Sequence, residues 1–73
     1  MAQEVLEAPM AGTITTINVK LGDKVNEGDT LYILESMKME NPILTPVTGT
    51  VIEMNVFISQ VVKAGEVVAI IEY

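Results

Sequence analysis

The feature that most limits the possible folds of this chain is an internal repeat. The segment that begins at Pro9 aligns without gaps on the segment that begins at Pro46, a shift of 37 residues. Nine of the 27 positions from Pro9 to Glu35 are identical in the second copy. Stacked repeat arrays need about three or more copies, so two copies favour closure on each other about a pseudo-two-fold axis. The repeat therefore predicts a flattened, quasi-symmetric barrel or sandwich.

Each copy contains short runs of β-branched and apolar residues between turn signals, and neither contains the apolar stripe of a helix. The chain is therefore predicted to be all-β, with eight short strands. Six longer strands are predicted at residues 4–8, 13–19, 30–35, 40–45, 50–56 and 66–72, and two shorter ones around Val25 and Val62. We also expect Gly28 and Gly65 to adopt positive φ in equivalent turns.

At 73 residues the chain has room for one small domain, and its composition argues against several kinds of function. It has no Cys and no His, so neither a metal site nor an active site of its own is expected. A net charge of −6 repels phosphate, so nucleic acid is not an expected partner. The apolar runs are far shorter than a membrane span, and no signal peptide is visible. We expect a cytoplasmic domain without membrane insertion.

Residues 36–44 lie between the two copies and have no duplicate in the alignment. The centre of this region reads Glu35-Ser36-Met37-Lys38-Met39-Glu40. Strands that end near Ser36 and resume near Met39 predict a two-residue hairpin with Met37 and Lys38 at its tip. Such hairpins favour Asn-Gly, and a local conflict of this kind is typical of functional sites. On chemistry alone, two interpretations stay open: methionines that fill the core beside a solvated lysine, or a functional tip.

The same six residues resemble the Glu-Ala-Met-Lys-Met-Glu signature of biotin carboxyl carrier domains. The resemblance covers nearly the whole chain, through the turns at residues 8–12, 22–25, 27–29 and 46–49. It implies that residues 1–73 are one biotinyl carrier domain, a barrel-sandwich hybrid of two four-stranded antiparallel sheets. Because the copies align without gaps, the thumb insertion of bacterial acetyl-CoA carboxylase carriers is expected to be absent.

In that family the lysine between the two methionines carries covalent biotin, so the resemblance implies that Lys38 is the attachment site. Met37 and Met39 are then the flanking residues that biotin protein ligase recognises. Glu35 and Ser36 belong to the same motif, with Ser36 in place of the usual alanine. The implied function is that of a non-catalytic, monomeric carrier. Its biotin takes carboxylate from a biotin carboxylase to a carboxyltransferase or a decarboxylase.

Two alternatives share the fold that the resemblance implies. Lipoyl carrier domains usually have Asp-Lys-Ala at the tip, and Met37 and Met39 favour biotin over lipoate. An unmodified barrel-sandwich module that serves assembly, as in membrane-fusion adaptor proteins, has no need of Met-Lys-Met at its tip. Among the biotin carriers, those of pyruvate carboxylase, propionyl-CoA and related acyl-CoA carboxylases, transcarboxylases and biotin-dependent decarboxylases are all similar to this chain.

Overall fold

A computed structural model describes all 73 residues, and every regular element in it is a β-strand. The strands are β1 (Gln3–Glu7), β2 (Gly12–Ile17), β3 (Lys24–Val25), β4 (Thr30–Ser36), β5 (Met39–Leu44), β6 (Gly49–Met54), β7 (Val61–Val62) and β8 (Val67–Glu72). The all-β prediction and the eight strands are confirmed, and no predicted strand limit is wrong by more than two residues. The structure offers no helix with the length and hydropathy to cross a membrane.

The strands form two antiparallel sheets of four strands each. Sheet A has the order β1-β8-β6-β3, and sheet B has the order β5-β4-β2-β7. The first half of the chain, β1–β4, alternates between the two sheets, and so does the second half, β5–β8. A shift of 37 residues converts the strand order of one sheet into that of the other. The predicted quasi-symmetric barrel-sandwich is therefore confirmed.

The structural repeat is longer than the repeat visible in the sequence. By sequence, residues 36–44 have no duplicate, but β5 occupies in sheet B the edge position that β1 occupies in sheet A. The two strands have no identical residue at matched positions, so alignment could not pair them. Only the connection between β4 and β5 has no counterpart, because the chain ends meet at the equivalent place. There Tyr73 and Ala2 exchange backbone hydrogen bonds of 2.9 Å.

Backbone hydrogen bonds between the halves repeat the two-fold symmetry. The N–H of Gly65 donates to the carbonyl of Ala8 at 2.8 Å, and the N–H of Gly28 donates to the carbonyl of Thr45 at 2.9 Å. Gly28 has a φ of 92° and Gly65 a φ of 88°, as predicted. Both turns need a residue that tolerates the left-handed region, which glycine does at low cost.

The connections β2–β3 (residues 18–23) and β6–β7 (residues 55–60) also match. In each, a backbone N–H donates at 3.0 Å to a side chain three residues later, Asp23 Oδ2 in the first and Gln60 Oε1 in the second. Gly22 has a φ of 91°, and its counterpart Ser59 has a φ of 76°. The equal lengths confirm that no thumb is inserted in the first half, before β4.

Eleven buried apolar residues from both halves form the core between the sheets. They are Ala8, Ile14, Val25, Leu31, Tyr32, Leu34, Val51, Val62, Val68, Ala69 and Ile71. Full burial of an aliphatic side chain contributes about 1.5–3 kcal/mol, so this cluster is the main source of stability. No residue from 35 to 40 belongs to it. The β4–β5 turn can therefore change without loss of core packing.

Tyr32 is the one member of the core that carries a polar group. Its side chain is fully buried, and its hydroxyl has no hydrogen-bond partner. In the second half Ala69 lies at the matching position, so the fold itself does not require a hydroxyl there. Burial raises the pKa of Tyr32 because the phenolate would lose its hydration.

We expect Tyr32→Phe to stabilise the folded protein by about 1 kcal/mol at neutral pH, because it removes an unpaired buried hydroxyl and keeps the ring. The raised pKa has a second consequence. Above pH 10.0, the ordinary value, the unfolded chain ionises before the folded one does, so the stability of the wild type falls as the pH rises. The loss of stability at alkaline pH is expected to be smaller in Tyr32→Phe than in the wild type.

Urea unfolding at a series of pH values from about 7 to 11 measures both effects. Tyr73→Phe is the matched control, because Tyr73 is 49% exposed. A variant at Tyr32 that is less stable than the wild type at neutral pH would mean that the hydroxyl has a partner, and the interpretation would be wrong.

Candidate functional site at the β4–β5 turn

The predicted hairpin is present, and its tip consists of the two predicted residues. Glu35 pairs with Glu40 and Ser36 with Met39, which leaves Met37 and Lys38 as the connection between β4 and β5. Met37 has a φ of 53° and Lys38 a φ of 64°. Positive φ at both central residues is the mark of a type I′ turn, the geometry that suits the twist of a two-residue hairpin.

This turn is strained for its sequence. In the whole chain three non-glycine residues have positive φ, and Met37 and Lys38 are two of them. Each such residue costs on the order of 1 kcal/mol, which the surrounding structure must offset. The long pairing of β4 with β5 does so, because six register pairs join the two strands.

Asn41 also stabilises the turn, and sequence reasoning missed it. Its side-chain amide donates at 3.2 Å to the carbonyl of Leu34 and at 3.2 Å to the carbonyl of Met39. The first bond joins β5 to β4 directly behind the tip, and the second fixes the backbone of β5 where it leaves the turn. The available signal was an asparagine inside an otherwise β-forming run, where its propensity is poor.

The side chains at the tip point into solvent. Met37 is 93% exposed and Met39 is 66% exposed, and Lys38 is exposed as well. Of the two interpretations of the methionines, core filling is therefore wrong. Exposed methionine is an adaptable apolar surface, which is a costly feature to leave in water without a partner.

The other two residues of the predicted motif lie at the base of the turn. Ser36 is half-buried, and Glu35 is exposed. Glu35 lies directly opposite Glu40, and like charges at such positions destabilise a hairpin. The base of the turn thus adds a second local conflict to the strain at the tip. The structure brings all five predicted residues together at one end of the hairpin, and their roles stay predictions.

The acidic side chains outside the turn form no metal site. No three side chains of the His, Cys, Asp and Glu types come together in a way that could hold a metal ion. The β4–β5 turn is the place where two consecutive left-handed residues, exposed methionines and a lysine amine coincide.

The strain at the tip has a measurable consequence. We expect Met37→Asn to stabilise the protein by about 0.5–1 kcal/mol, because asparagine tolerates positive φ better than methionine does. Met39→Asn is the matched control, since Met39 is exposed but lies in a strand, where asparagine is unfavourable. Chemical unfolding of the two variants and the wild type gives the comparison. Equal or lower stability of Met37→Asn would show that the turn is not strained.

Comparison with known proteins identifies relatives along most of the chain. The family model described as biotin-requiring enzyme matches residues 4–71. Over 39 residues, the chain is 59% identical to glutaconyl-CoA decarboxylase subunit gamma of Acidaminococcus fermentans, covering 53% of this chain and 27% of the relative. Over 43 residues, it is 51% identical to the biotin carboxyl carrier protein of Streptococcus mutans, covering 59% of this chain and 33% of the relative.

Solved structures give the same result for the fold. Urea carboxylase of Kluyveromyces lactis contains a matching region with a TM-score of 0.90 and 29% identity, which covers 99% of this chain and 6% of the enzyme. A single-chain, multi-domain long-chain acyl-CoA carboxylase matches with a TM-score of 0.87 and 28% identity, covering 93% of this chain and 7% of the enzyme. The matched regions thus make up no more than a third of these curated relatives and less than a tenth of these enzymes.

Proposed function

Because the chain belongs to the family of biotin-requiring enzymes, and is a biotin carrier domain, we propose that Lys38 is the residue to which its biotin is covalently attached. The observation that supports this proposal is the exposed Lys38 at the apex of a strained turn, between two exposed methionines. The chain has three other lysines, Lys20, Lys24 and Lys63, and none of them has a left-handed backbone or a methionine neighbour.

The residues of the tip suit the attachment chemistry. In the activated donor, biotinyl-adenylate, an acyl carbon carries a good leaving group. Lys38 Nζ, as the neutral amine, attacks that carbon, an amide bond forms, and AMP leaves with the electron pair of the broken bond. An ammonium group has no lone pair, so a base on the ligase takes the proton from Nζ. The tip contributes access, because no part of the core covers Lys38.

The proposed carrier works by position and does no chemistry of its own. When bound, biotin supplies a ureido nitrogen that accepts carboxylate at one active site and gives it up at another. The barrel presents Lys38 beyond the ends of β4 and β5, so the flexible arm can enter a cleft that the domain cannot. Tethering also raises the local concentration of biotin at each active site. The gain is largest when the reach of the arm matches the distance from the carrier to that active site.

The proposed partners follow from this role. They are a biotin protein ligase, a biotin carboxylase, and a carboxyltransferase or a decarboxylase, with the domain acting as a non-catalytic monomer. The named relatives support these classes, since they include a decarboxylase subunit, a carrier protein and two carboxylases. We place the protein in the cytoplasm, where the ATP needed for adenylation of biotin is available.

Two experiments test the proposal. After co-expression with a biotin protein ligase, intact mass is expected to show one biotinyl group per chain, and peptide mapping is expected to place it on Lys38. The modified chain is then offered to a biotin carboxylase with ATP and labelled bicarbonate, and label is expected on this chain alone. Co-expression with a lipoyl ligase is the comparison: a lipoyl group in place of biotin, or no modification by either ligase, would support one of the alternatives instead.

A further inference from the structure

The two halves differ sharply in charge at one pair of matched segments. Residues 20–27, which join β2 to β3 and continue past it, include four charged residues, whereas residues 57–64 include one. Lys20 is replaced by Phe57 and Lys24 by Val61. The next residue after Lys20 is Leu21, and the next after Phe57 is Ile58, so both halves are apolar at this matched position. We call Phe57, Ile58 and Val61 the 57–61 patch.

Folding does not explain this difference. The two segments have the same length and the same side-chain-to-backbone bonds, as well as the same left-handed residue at Gly22 and Ser59. The first half thus shows that charged residues are compatible with this backbone. Apolar residues in the 57–61 patch are also exposed, at 67% for Phe57, 57% for Ile58 and 70% for Val61, so they contribute little to the core.

One member of the patch, Val61, lies on the sheet that carries the tip. The other two precede it along the edge of this sheet and lie further from the tip, since the N–H of Ser59 donates to the carbonyl of Ile14. Val61 pairs with Thr13, and Thr13 pairs with Glu35, two residues before Met37. Cross-strand partners share a face, so Val61 and Glu35 lie on one face of sheet B about 10 Å apart. The matched segment of the first half borders β6 in sheet A, on which there is no such turn.

The size and charge of the surface indicate what can cover it. These three exposed apolar side chains offer on the order of 300 Å², whereas a stable interface buries about 800 Å² per partner. Two copies of this chain would also bring together two net charges of −6. A permanent homodimer through the patch is therefore disfavoured. The surface fits a brief contact with an apolar face whose rim is basic, because Glu35 and Glu40 lie on the same side of sheet B.

We propose that the 57–61 patch is a second contact surface for the ligase that modifies Lys38, additional to the tip itself. This inference rests on the proposed attachment at Lys38. The distance from which each partner can reach its target favours the ligase over the catalytic partners as the protein that contacts the patch. A ligase must bring its active site to an amine at the end of one lysine side chain, so its surface comes close to sheet B. A catalytic partner receives the end of a much longer arm and can stay further away.

The test compares the kinetics of biotinylation for the wild type and Phe57→Ser/Val61→Thr, which keeps the charge unchanged. With a purified biotin protein ligase, biotin and ATP, the KM for the carrier chain is expected to rise roughly tenfold while kcat stays within about twofold. The matched control is Leu21→Ser, which removes an equally exposed apolar side chain, 66% exposed, from the other half. Its KM is expected to equal that of the wild type.

Melting curves of all three proteins establish that they are folded to the same extent. An unchanged KM for the double variant would overturn the proposal, as would an equal rise in Leu21→Ser. A fall in kcat without a change in KM would also overturn it, since this result would indicate a distorted tip. If the wild type itself takes up no biotin, the assignment of Lys38 fails, which is a different outcome from failure of the patch.

Discussion

Lys38→Arg is expected to take up no biotin when it is co-expressed with a biotin protein ligase. Arginine keeps the positive charge and the approximate length of the side chain, but its guanidinium stays protonated and is not acylated. Because Lys38 is exposed and lies outside the core, the melting midpoint is expected to change by less than about 2 °C. Intact mass and a streptavidin blot measure the first effect, and circular dichroism measures the second.

Lys24→Arg and Lys63→Arg are the matched controls for this prediction, since both lysines are exposed and lie next to turns in opposite halves. Each is expected to carry one biotin per chain. Biotin on the Lys38→Arg variant would mean that another lysine is the attachment site. Loss of biotin from all three variants would show that the loss in Lys38→Arg is not specific to position 38, and the assignment would then lack support.

Gly49→Ala is expected to cost about 3 kcal/mol or more, a large part of the stability of so small a domain. A Cβ at this position would overlap the backbone carbonyl oxygen of Glu72 and lie 2.9 Å from Ile71 Cγ2. A backbone carbonyl within a sheet cannot move aside, so β6 and β8 would have to separate. Gly12→Ala, the matched variant in the first half, meets the carbonyl oxygen of Glu35 at 2.5 Å and is expected to behave alike.

The contrast with the turn glycines makes this prediction specific. A Cβ at Gly22 or Gly65 would have no neighbour within 4 Å, so an alanine there costs only the strain of positive φ. We expect that cost to be about 1 kcal/mol. Chemical unfolding of Gly49→Ala and Gly65→Ala measures the difference. Equal losses would show that the close approach of β6 to β8 is unimportant.

Much of the fold could be predicted because the same pattern of strands and turns occurs twice in the sequence. Two copies of one pattern gave the pseudo-two-fold axis, and the turn residues in each copy gave the strand limits. The order of strands in the sheets did not follow from the same information, because each half divides its strands between both sheets. Such pairing depends on contacts between residues far apart in the sequence, which periodicity within a strand does not encode.

Local irregularities of the strands and turns also could not be predicted from the sequence. Register shifts occur between Ile14 and Thr16 and, at the matched place, between Val51 and Glu53. No glycine marks either bulge, so the sequence carries no local signal for them. The left-handed Ser59 is similar, since the turn around it imposes a conformation that serine does not favour.

The tip of the site could be predicted because its turn sequence breaks a local rule, whereas the contacts that support the tip depend on the neighbouring strand. Met-Lys in a two-residue hairpin conflicts with turn propensity, and this conflict directed attention to Lys38. Asn41 lies within a predicted strand, and its amide joins β5 to β4 behind the tip through a bond to Leu34 that the local sequence does not specify. Identical residues at matched positions are the signal of the repeat, whereas the 57–61 patch consists of differences between the halves.

Strands of one half pair with strands of the other half, and this arrangement affects when the tip can form during synthesis of the chain. Among the strands of the first half, only β2 and β4 are neighbours, because β1 needs β8 and β3 needs β6. An isolated pair of strands is at best marginally stable in water. A nascent chain that has just passed Lys38 therefore lacks the scaffold for a left-handed turn there. The inner face of sheet B is covered only when β6 and β8 of sheet A have been made, so the scaffold that holds the turn is complete late in synthesis, after strands of both halves have paired.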